Sequence, residues 1–144
     1  MTYLLLLLLH LFAVLLFVGT VLFELFVLRP AFSQLSDTSE REVEKAIGRR
    51  IVRVIPAALV VLYAAGMGLA WHYRGVLAQP FASPFATLLW LKILLALSVL
   101  GHVIVAMRWR RQKRLHGKRS RILHNSVYAH MLLIVILAKA MFYV

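Results

Sequence analysis

Residues 3–28 read YLLLLLLHLFAVLLFVGTVLFELFVL, and Glu24 is the only one of them that is charged at neutral pH. A helix that crosses a bilayer needs roughly 20 consecutive apolar residues, so this run is long enough to span a membrane. It lacks the basic start and the small-residue cleavage site of a signal peptide, and it exceeds the roughly 7–15 apolar residues of one. We therefore interpret residues 3–28 as a membrane-spanning helix that stays in the mature protein.

Three further apolar runs of similar length follow this first one. They lie at about residues 51–72, 85–107 and 122–143. Of the 144 residues, 62% are hydrophobic, which is well above the roughly 45–50% of an ordinary soluble domain. Four spans with short connections use nearly the whole chain. The sequence therefore predicts one all-α domain over residues 1–144, an integral membrane four-helix bundle.

Local patterns indicate where two of these helices begin and end. The dipeptide Arg29-Pro30 predicts the end of the first helix, because proline removes a backbone donor from a helix interior. Ser39 and Glu42 have the spacing of a capping box. We expect an amphipathic helix that begins there and leads into the second span, with a kink at Pro56.

The distribution of charge predicts the orientation of the chain. The formal net charge is +12, and of 17 lysines and arginines 6 lie between Arg29 and Arg53 and 8 between Arg108 and Arg121. Basic loops of membrane proteins stay in the cytoplasm. We therefore expect a multi-pass membrane protein with both basic loops in the cytoplasm and both termini on the far side, which in a bacterial inner membrane is the periplasmic side. The clustering of charge in alternate loops argues against nucleic-acid binding.

Ionisable side chains inside the spans are the candidate functional residues, since each costs at least ~2.5–3.5 kcal/mol at mid-bilayer. They are His10, Glu24, Lys92, His102, His124, His130 and Lys139. Counted at about 1.5 Å per residue, they form an outer layer around His10 and an inner layer with His102 and His130 roughly 5 Å apart in depth.

Several of these groups also have explanations that involve no function. Lys139 is close enough to the outer interface to snorkel, and His116, in the second basic loop, is expected to be solvated. His130 points about 180° away from Lys139 on the same helix. If the Lys139 face lines the interior of the bundle, His130 is available to a second subunit, so we expect a homodimer.

Histidines on facing helices are suited to haem b, because a neutral imidazole supplies the axial bond while the porphyrin fills a slot between apolar faces. A bis-histidine site could pair His102 with His130 or His10 with His72. His10 and His102 are the first choices as metal ligands, with Lys92 close to the haem. This predicts a cytochrome b-like protein that transfers electrons or performs redox chemistry on a porphyrin.

Cationic residues could stabilise the anionic haem propionates. The candidates are Lys92, Lys139 and Arg74 on the outer side and Arg108 and Arg110 on the inner side. Copper is the alternative cofactor. The chain has no cysteine, and Cu(I) favours sulfur ligands, which leaves only the neighbourhoods His130-Met131 and His102-Met107. A third alternative is a non-catalytic partner subunit of a larger membrane complex.

The helix 1 segment LLLLHLFAVLLFVGTVLFE and the helix 3 segment LLWLKILLAL resemble the CopD-type copper-resistance domain membrane proteins. The chain is also similar to the related HemJ-type protoporphyrinogen oxidases. The shared positions are His10, Lys92, His102, Asn125 at the start of helix 4, and Lys139. This resemblance implies haem b binding and redox chemistry on a porphyrin, and the CopD name implies copper transport or resistance.

The chain departs from the HemJ-type pattern at two positions. That pattern has a glutamate after the helix 4 asparagine and a proline after the final basic residue, where this chain has Ser126 and Ala140. The resemblance therefore implies haem binding more strongly than it implies the oxidase activity, and it leaves open whether the protein is an enzyme.

Overall fold

The computed structural model describes residues 1–112 and 117–144, with the backbone alone at 110, 111 and 117–121. Over these residues the regular structure is entirely helical. The helices are α1 (Thr2–Phe23), a π-helical turn (Glu24–Leu28), α2 (Arg29–Phe32), α3 (Asp37–His72), α4 (Arg74–Leu77), α5 (Pro84–Arg111) and α6 (Gly117–Ala140).

Four helical segments are long and apolar enough to cross a membrane. They are Thr2–Phe32, Asp37–His72, Pro84–Trp109 and Ile122–Ala140. Large apolar side chains point outward from them: Phe12, Val60 and Leu132 are 68%, 70% and 63% exposed. Apolar surface of this extent is favourable in hydrocarbon and unfavourable in water. The prediction of an all-α chain with four helices that are long and apolar enough to span a membrane is confirmed.

The chain divides into two compact units. In the first unit, residues 1–73, α1 packs against α3. In the second unit, residues 74–144, α5 packs against α6, and α4 lies against α5. The single four-helix bundle stays a prediction.

The first span continues past the point at which proline was expected to end it. Helical structure extends to Phe32, and the amide of Arg29 donates to the carbonyl of Glu24, five residues earlier. Pro30 has no amide hydrogen, and its ring would clash with the carbonyl four residues before it. The wider π-helical turn lets the helix continue, and Pro30 then lies in the first turn of α2, where proline is tolerated.

Helix α3 is continuous from Asp37 to His72 and contains Pro56 in its interior. The prediction that an amphipathic helix leads into the second span is therefore confirmed. Its start was predicted wrongly, because the N-cap is Ser36, whose side chain accepts a hydrogen bond of 3.3 Å from the amide of Ser39. Ser39 lies within the first turn and supplies that donor. The kink at Pro56 stays a prediction.

Helix α5 begins with a serine cap that fixes the entry to the third span. The hydroxyl of Ser83 accepts a hydrogen bond of 3.1 Å from the amide of Ala86, and Pro84 occupies the first helical position. The indole of Trp90 donates to the carbonyl of Leu77 at 2.9 Å, which connects α5 to α4. These contacts set the register of the helix that carries Lys92, Ser98 and His102.

Candidate functional site

A closed ring of four hydrogen bonds joins α5 to α6 in the second unit. The Nδ1 of His102 donates to the carbonyl of Ser98 at 2.7 Å, and the Nδ1 of His130 donates to the carbonyl of Ser126 at 2.7 Å. Across the helices, the Ser126 hydroxyl donates to Nε2 of His102 at 2.8 Å, and the Ser98 hydroxyl donates to Nε2 of His130 at 3.1 Å. We call these four residues the Ser–His ring.

The Ser–His ring fixes the tautomer of both imidazoles. A backbone carbonyl can only accept a hydrogen bond, so the proton of each neutral imidazole lies on Nδ1 and the lone pair lies on Nε2. A hydrogen bond donated by the other ring nitrogen in this way orients a histidine ligand toward a metal ion. Nε2 is therefore the nitrogen through which each histidine could bind a metal ion. In this structure a serine hydroxyl donates a hydrogen bond to that nitrogen.

The two imidazoles lie side by side, with ring centroids 5.1 Å apart and an angle of 51° between their planes. His102 and His130 are thus neighbours within the second unit, and His130 is directed at Ser98 of that unit where a contact with a second subunit was expected. Their Nε2 atoms, however, are directed at serines of opposite helices and not toward one common point. In this arrangement His102 and His130 do not present two facing nitrogens for one iron atom.

A short sequence repeat explains why each histidine bonds to the serine of the other helix. Residues 98–102 are SVLGH and residues 126–130 are SVYAH. In a helix, a serine four residues before a histidine lies on the same face, and pairing two such segments in opposite directions brings each serine to the other histidine. Sequence reasoning missed the ring because the serines were not considered as partners, although the repeated spacing was visible.

One face of the ring lies at an open cleft of about 590 Å³, within the roughly 300–1,000 Å³ of small-molecule sites. Its lining residues are Ser98, Gly101, His102, Val105, Trp109, Ile122, Leu123 and Ser126. The cleft extends over about 16 Å of α5, from Ser98 to Trp109, at the standard rise of a helix. Among the described residues His102 is the one imidazole that lines it, and the remaining surface is mainly apolar.

His10 and His72, both in the first unit, have different surroundings. The Nδ1 of His10 donates to the carbonyl of Leu62 at 3.1 Å, and its ring lies against Gly66, where an added Cβ would be 3.3 Å from it. His72 donates to the carbonyl of Gly68 and packs edge-on against Tyr3 at 5.3 Å. Tyr3 precedes His10 by about 10 Å along α1, so the structure places these two histidines at different heights.

The hydroxyls of Tyr3 and Tyr73 lie 3.2 Å apart beside His72. The hydrogen bond to Tyr3 raises the pKa of the Tyr73 phenol above its ordinary value, and partial burial raises it further. Sequence reasoning did not identify this tyrosine pair.

The predicted cationic residues are dispersed. Lys92 is half-buried on α5 and forms no hydrogen bond or ion pair with any residue in the described part of the chain. Lys139 is exposed, and its ammonium lies 5.2 Å from the centroid of the Tyr143 ring. The side chain of Arg110 and the whole of His116, both considered above, lie outside the described residues.

Two other ionisable groups in the spans have identified neighbours. Glu24 accepts a hydrogen bond of 3.4 Å from the guanidinium of Arg29. His124 lies beside Tyr128, with ring centroids 6.4 Å apart.

No group of three or more His, Cys, Asp or Glu side chains within the described residues could hold a metal ion. Comparison with known proteins gives no match to a family model, a curated protein or a solved structure. The functional argument therefore rests on the site itself.

Proposed function

We propose that this chain is a multi-pass protein of a bacterial inner membrane that binds haem b in the cleft of the second unit, where His102 would hold the iron. The observation that carries this proposal is the orientation of His102. Its Nδ1 is fixed on the carbonyl of Ser98, and it lines a mainly apolar cleft together with the hydroxyl that occupies its Nε2.

The chemistry of the cleft suits a porphyrin. An apolar slot of this size can cover the faces of a planar macrocycle, while one imidazole nitrogen supplies the axial bond. The cleft ends near Trp109, and Arg108 precedes it directly at the end of α5. The Arg108 guanidinium is therefore our candidate partner for the anionic propionates, which would be more stable near the membrane surface than inside the hydrocarbon.

Bound haem would supply a one-electron redox couple, which supports either electron transfer or the oxidation of a porphyrinogen to a porphyrin with an external electron acceptor. The residues of the chain have defined tasks in both cases. His102 binds, Ser98 holds its tautomer through the backbone, and the apolar lining excludes water. His130 accepts a hydrogen bond from the Ser98 hydroxyl in the same unit. Its contribution is to complete the Ser–His ring.

The remaining features of the proposal follow from the charge pattern and the resemblance described above. Both termini lie in the periplasm, and the basic loops lie in the cytoplasm. The homodimer stays a prediction, and the rotation of His130 no longer supports it, because His130 hydrogen-bonds to Ser98 of the same unit. Copper binding, and a role as a non-catalytic partner subunit, are the alternatives, and no contact in the described residues favours either one.

Absorption spectroscopy of protein purified from haem-replete cells tests the proposal. We expect a Soret band with close to one haem per chain, and loss of most of that haem in His102→Ala. His72→Ala is the matched control, because His72 has the same Nδ1-to-carbonyl bond but lies at the end of α3 in the first unit. It should retain its haem.

Three outcomes would contradict the proposal. Colourless wild-type protein that retains stoichiometric copper would favour the copper alternative. Full haem in His102→Ala with loss in His72→Ala would move the site to the first unit. Wild-type protein with neither haem nor copper would favour the role of a partner subunit.

A further inference from the structure

Three arginines form an exposed triangle on α3 just before its apolar part. Arg49 and Arg53 are four residues apart, and Arg50 and Arg53 are three apart, which are the two spacings that bring side chains together on a helix surface. All three are exposed, and none forms an ion pair within the described residues. Like charges at these spacings destabilise a helix unless an anion lies between them.

The height of this triangle follows from the continuity of α3. Residues 54–71 contain no Asp, Glu, Lys or Arg, and at 1.5 Å per residue they extend about 27 Å, close to the roughly 30 Å of a hydrocarbon core. Arg53 therefore lies at the edge of the core, with Arg50 and Arg49 about 4.5 and 6 Å further out. The headgroup layer is roughly 5–8 Å thick on each side, so all three guanidinium groups reach it.

The acidic side chains of this helix do not neutralise the triangle. They are Asp37, Glu40, Glu42 and Glu44. Along the helix axis the nearest of them, Glu44, is about 7.5 Å from Arg49 and about 13 Å from Arg53, and it forms no ion pair with any of the three arginines. Arg29, at the end of the first span, already pairs with Glu24. The headgroup layer around α3 therefore contains three arginines on one helix face. None of them forms an ion pair with an acidic side chain among the described residues.

We propose that Arg49, Arg50 and Arg53 form a binding site for the phosphate of an anionic phospholipid. Guanidinium groups bind phosphate oxygens through paired, charge-assisted hydrogen bonds. Clusters of basic residues next to a span are attracted to anionic lipids. A zwitterionic lipid has the same phosphate, but its own ammonium competes with the arginines, so the site selects lipids with net negative charge.

Native mass spectrometry of the detergent-solubilised full chain tests this site. The probes are phosphatidylglycerol and phosphatidylcholine with identical acyl chains. We expect wild-type protein to bind phosphatidylglycerol more tightly. Arg49→Gln/Arg50→Gln/Arg53→Gln should weaken that binding by about 100-fold, since each cation near an anionic surface contributes roughly fivefold.

The control is Arg41→Gln/Lys45→Gln, which removes charge from the same helix beyond the headgroup layer. It should bind phosphatidylglycerol as the wild type does. Arg49→Lys/Arg50→Lys/Arg53→Lys retains the charge and loses the paired hydrogen bonds. Its affinity for phosphatidylglycerol should therefore lie between that of the wild type and that of the triple glutamine variant.

Equal binding of both lipids, or unchanged binding by the triple glutamine variant, would overturn the proposal. Competition by inorganic phosphate at concentrations similar to those of the lipid would show a site for free phosphate and would also overturn it. Circular dichroism of each variant verifies that α3 remains folded. The result is independent of haem, because the triangle lies on the first unit and the cleft on the second.

Discussion

The hydroxyl of Ser126 occupies the nitrogen that we assign to the axial ligand, and its removal should therefore increase the affinity for haem. In the free protein this hydroxyl donates to Nε2 of His102 at 2.8 Å. A ligand that binds at Nε2 must first break that bond. In Ser126→Ala the nitrogen has no partner to lose, so binding becomes more favourable by the free energy of the hydrogen bond.

The size of the effect follows from hydrogen bonds between membrane helices, which average about 0.6 kcal/mol and reach about 1.7 kcal/mol. Because each 1.4 kcal/mol is a tenfold change, haem should bind between roughly threefold and roughly 20-fold more tightly. The same bond connects α5 to α6, so the variant should lose a similar free energy of unfolding. Affinity and stability are expected to change in opposite directions.

Titration of apoprotein with haem, followed by the Soret absorbance, measures the affinity. Unfolding in mixed micelles measures the stability. Ser98→Ala is the matched control, because it removes the equivalent bond to Nε2 of His130 at 3.1 Å and leaves His102 capped by Ser126. It should lose stability without a gain in affinity. If Ser126→Ala binds haem no more tightly than Ser98→Ala, the assignment of His102 Nε2 is refuted.

Two predictions concern the first unit. Gly66→Ala places a Cβ 3.3 Å from the ring of His10 and should lower the free energy of unfolding by about 1 kcal/mol, the low end of overpacking costs. Gly19→Ala, with no atom within 4 Å of the new Cβ, should be neutral or stabilising by up to ~1 kcal/mol; equal losses in both would contradict this packing. For Tyr73, the raised pKa of its phenol means that the bond to Tyr3 stabilises the fold below about pH 10 and is lost as the pH rises through the folded-state value. Ultraviolet titration should show the tyrosinate of Tyr73 forming at lower pH in Tyr3→Phe, and an unchanged curve would show that Tyr3 does not control it.

The helical spans could be predicted from the sequence because length and apolarity alone determine them. The ends were harder to predict. Ser39 and Ser36 both match the N-cap preference, and only the backbone at Ser36, in an extended conformation, distinguishes them. The sequence predicted that the first helix ends at Pro30. It continues because a π-helical turn accommodates a residue without an amide hydrogen, and such a turn has no simple sequence pattern.

The candidate site was predictable in part. Counting depth along the helices placed His102 and His130 at neighbouring levels, since the rise per residue is constant. The partner of each imidazole depends on the direction and rotation of the facing helix, which periodicity in a leucine-rich segment does not determine. Ser126 stood out only as a departure from a family pattern, whereas its hydroxyl is the direct neighbour of the proposed ligand.

The four bonds of the Ser–His ring run in opposite directions on two antiparallel helices. Each Nδ1-to-carbonyl dipole on α5 is opposed by its counterpart on α6, and the two hydroxyl bonds cross between the helices in opposite senses. Opposed dipoles cancel at a distance, so the cluster presents little field to the surrounding hydrocarbon. Substitution of one member removes this cancellation, and the remaining half would then act as an uncompensated dipole inside a low-dielectric medium.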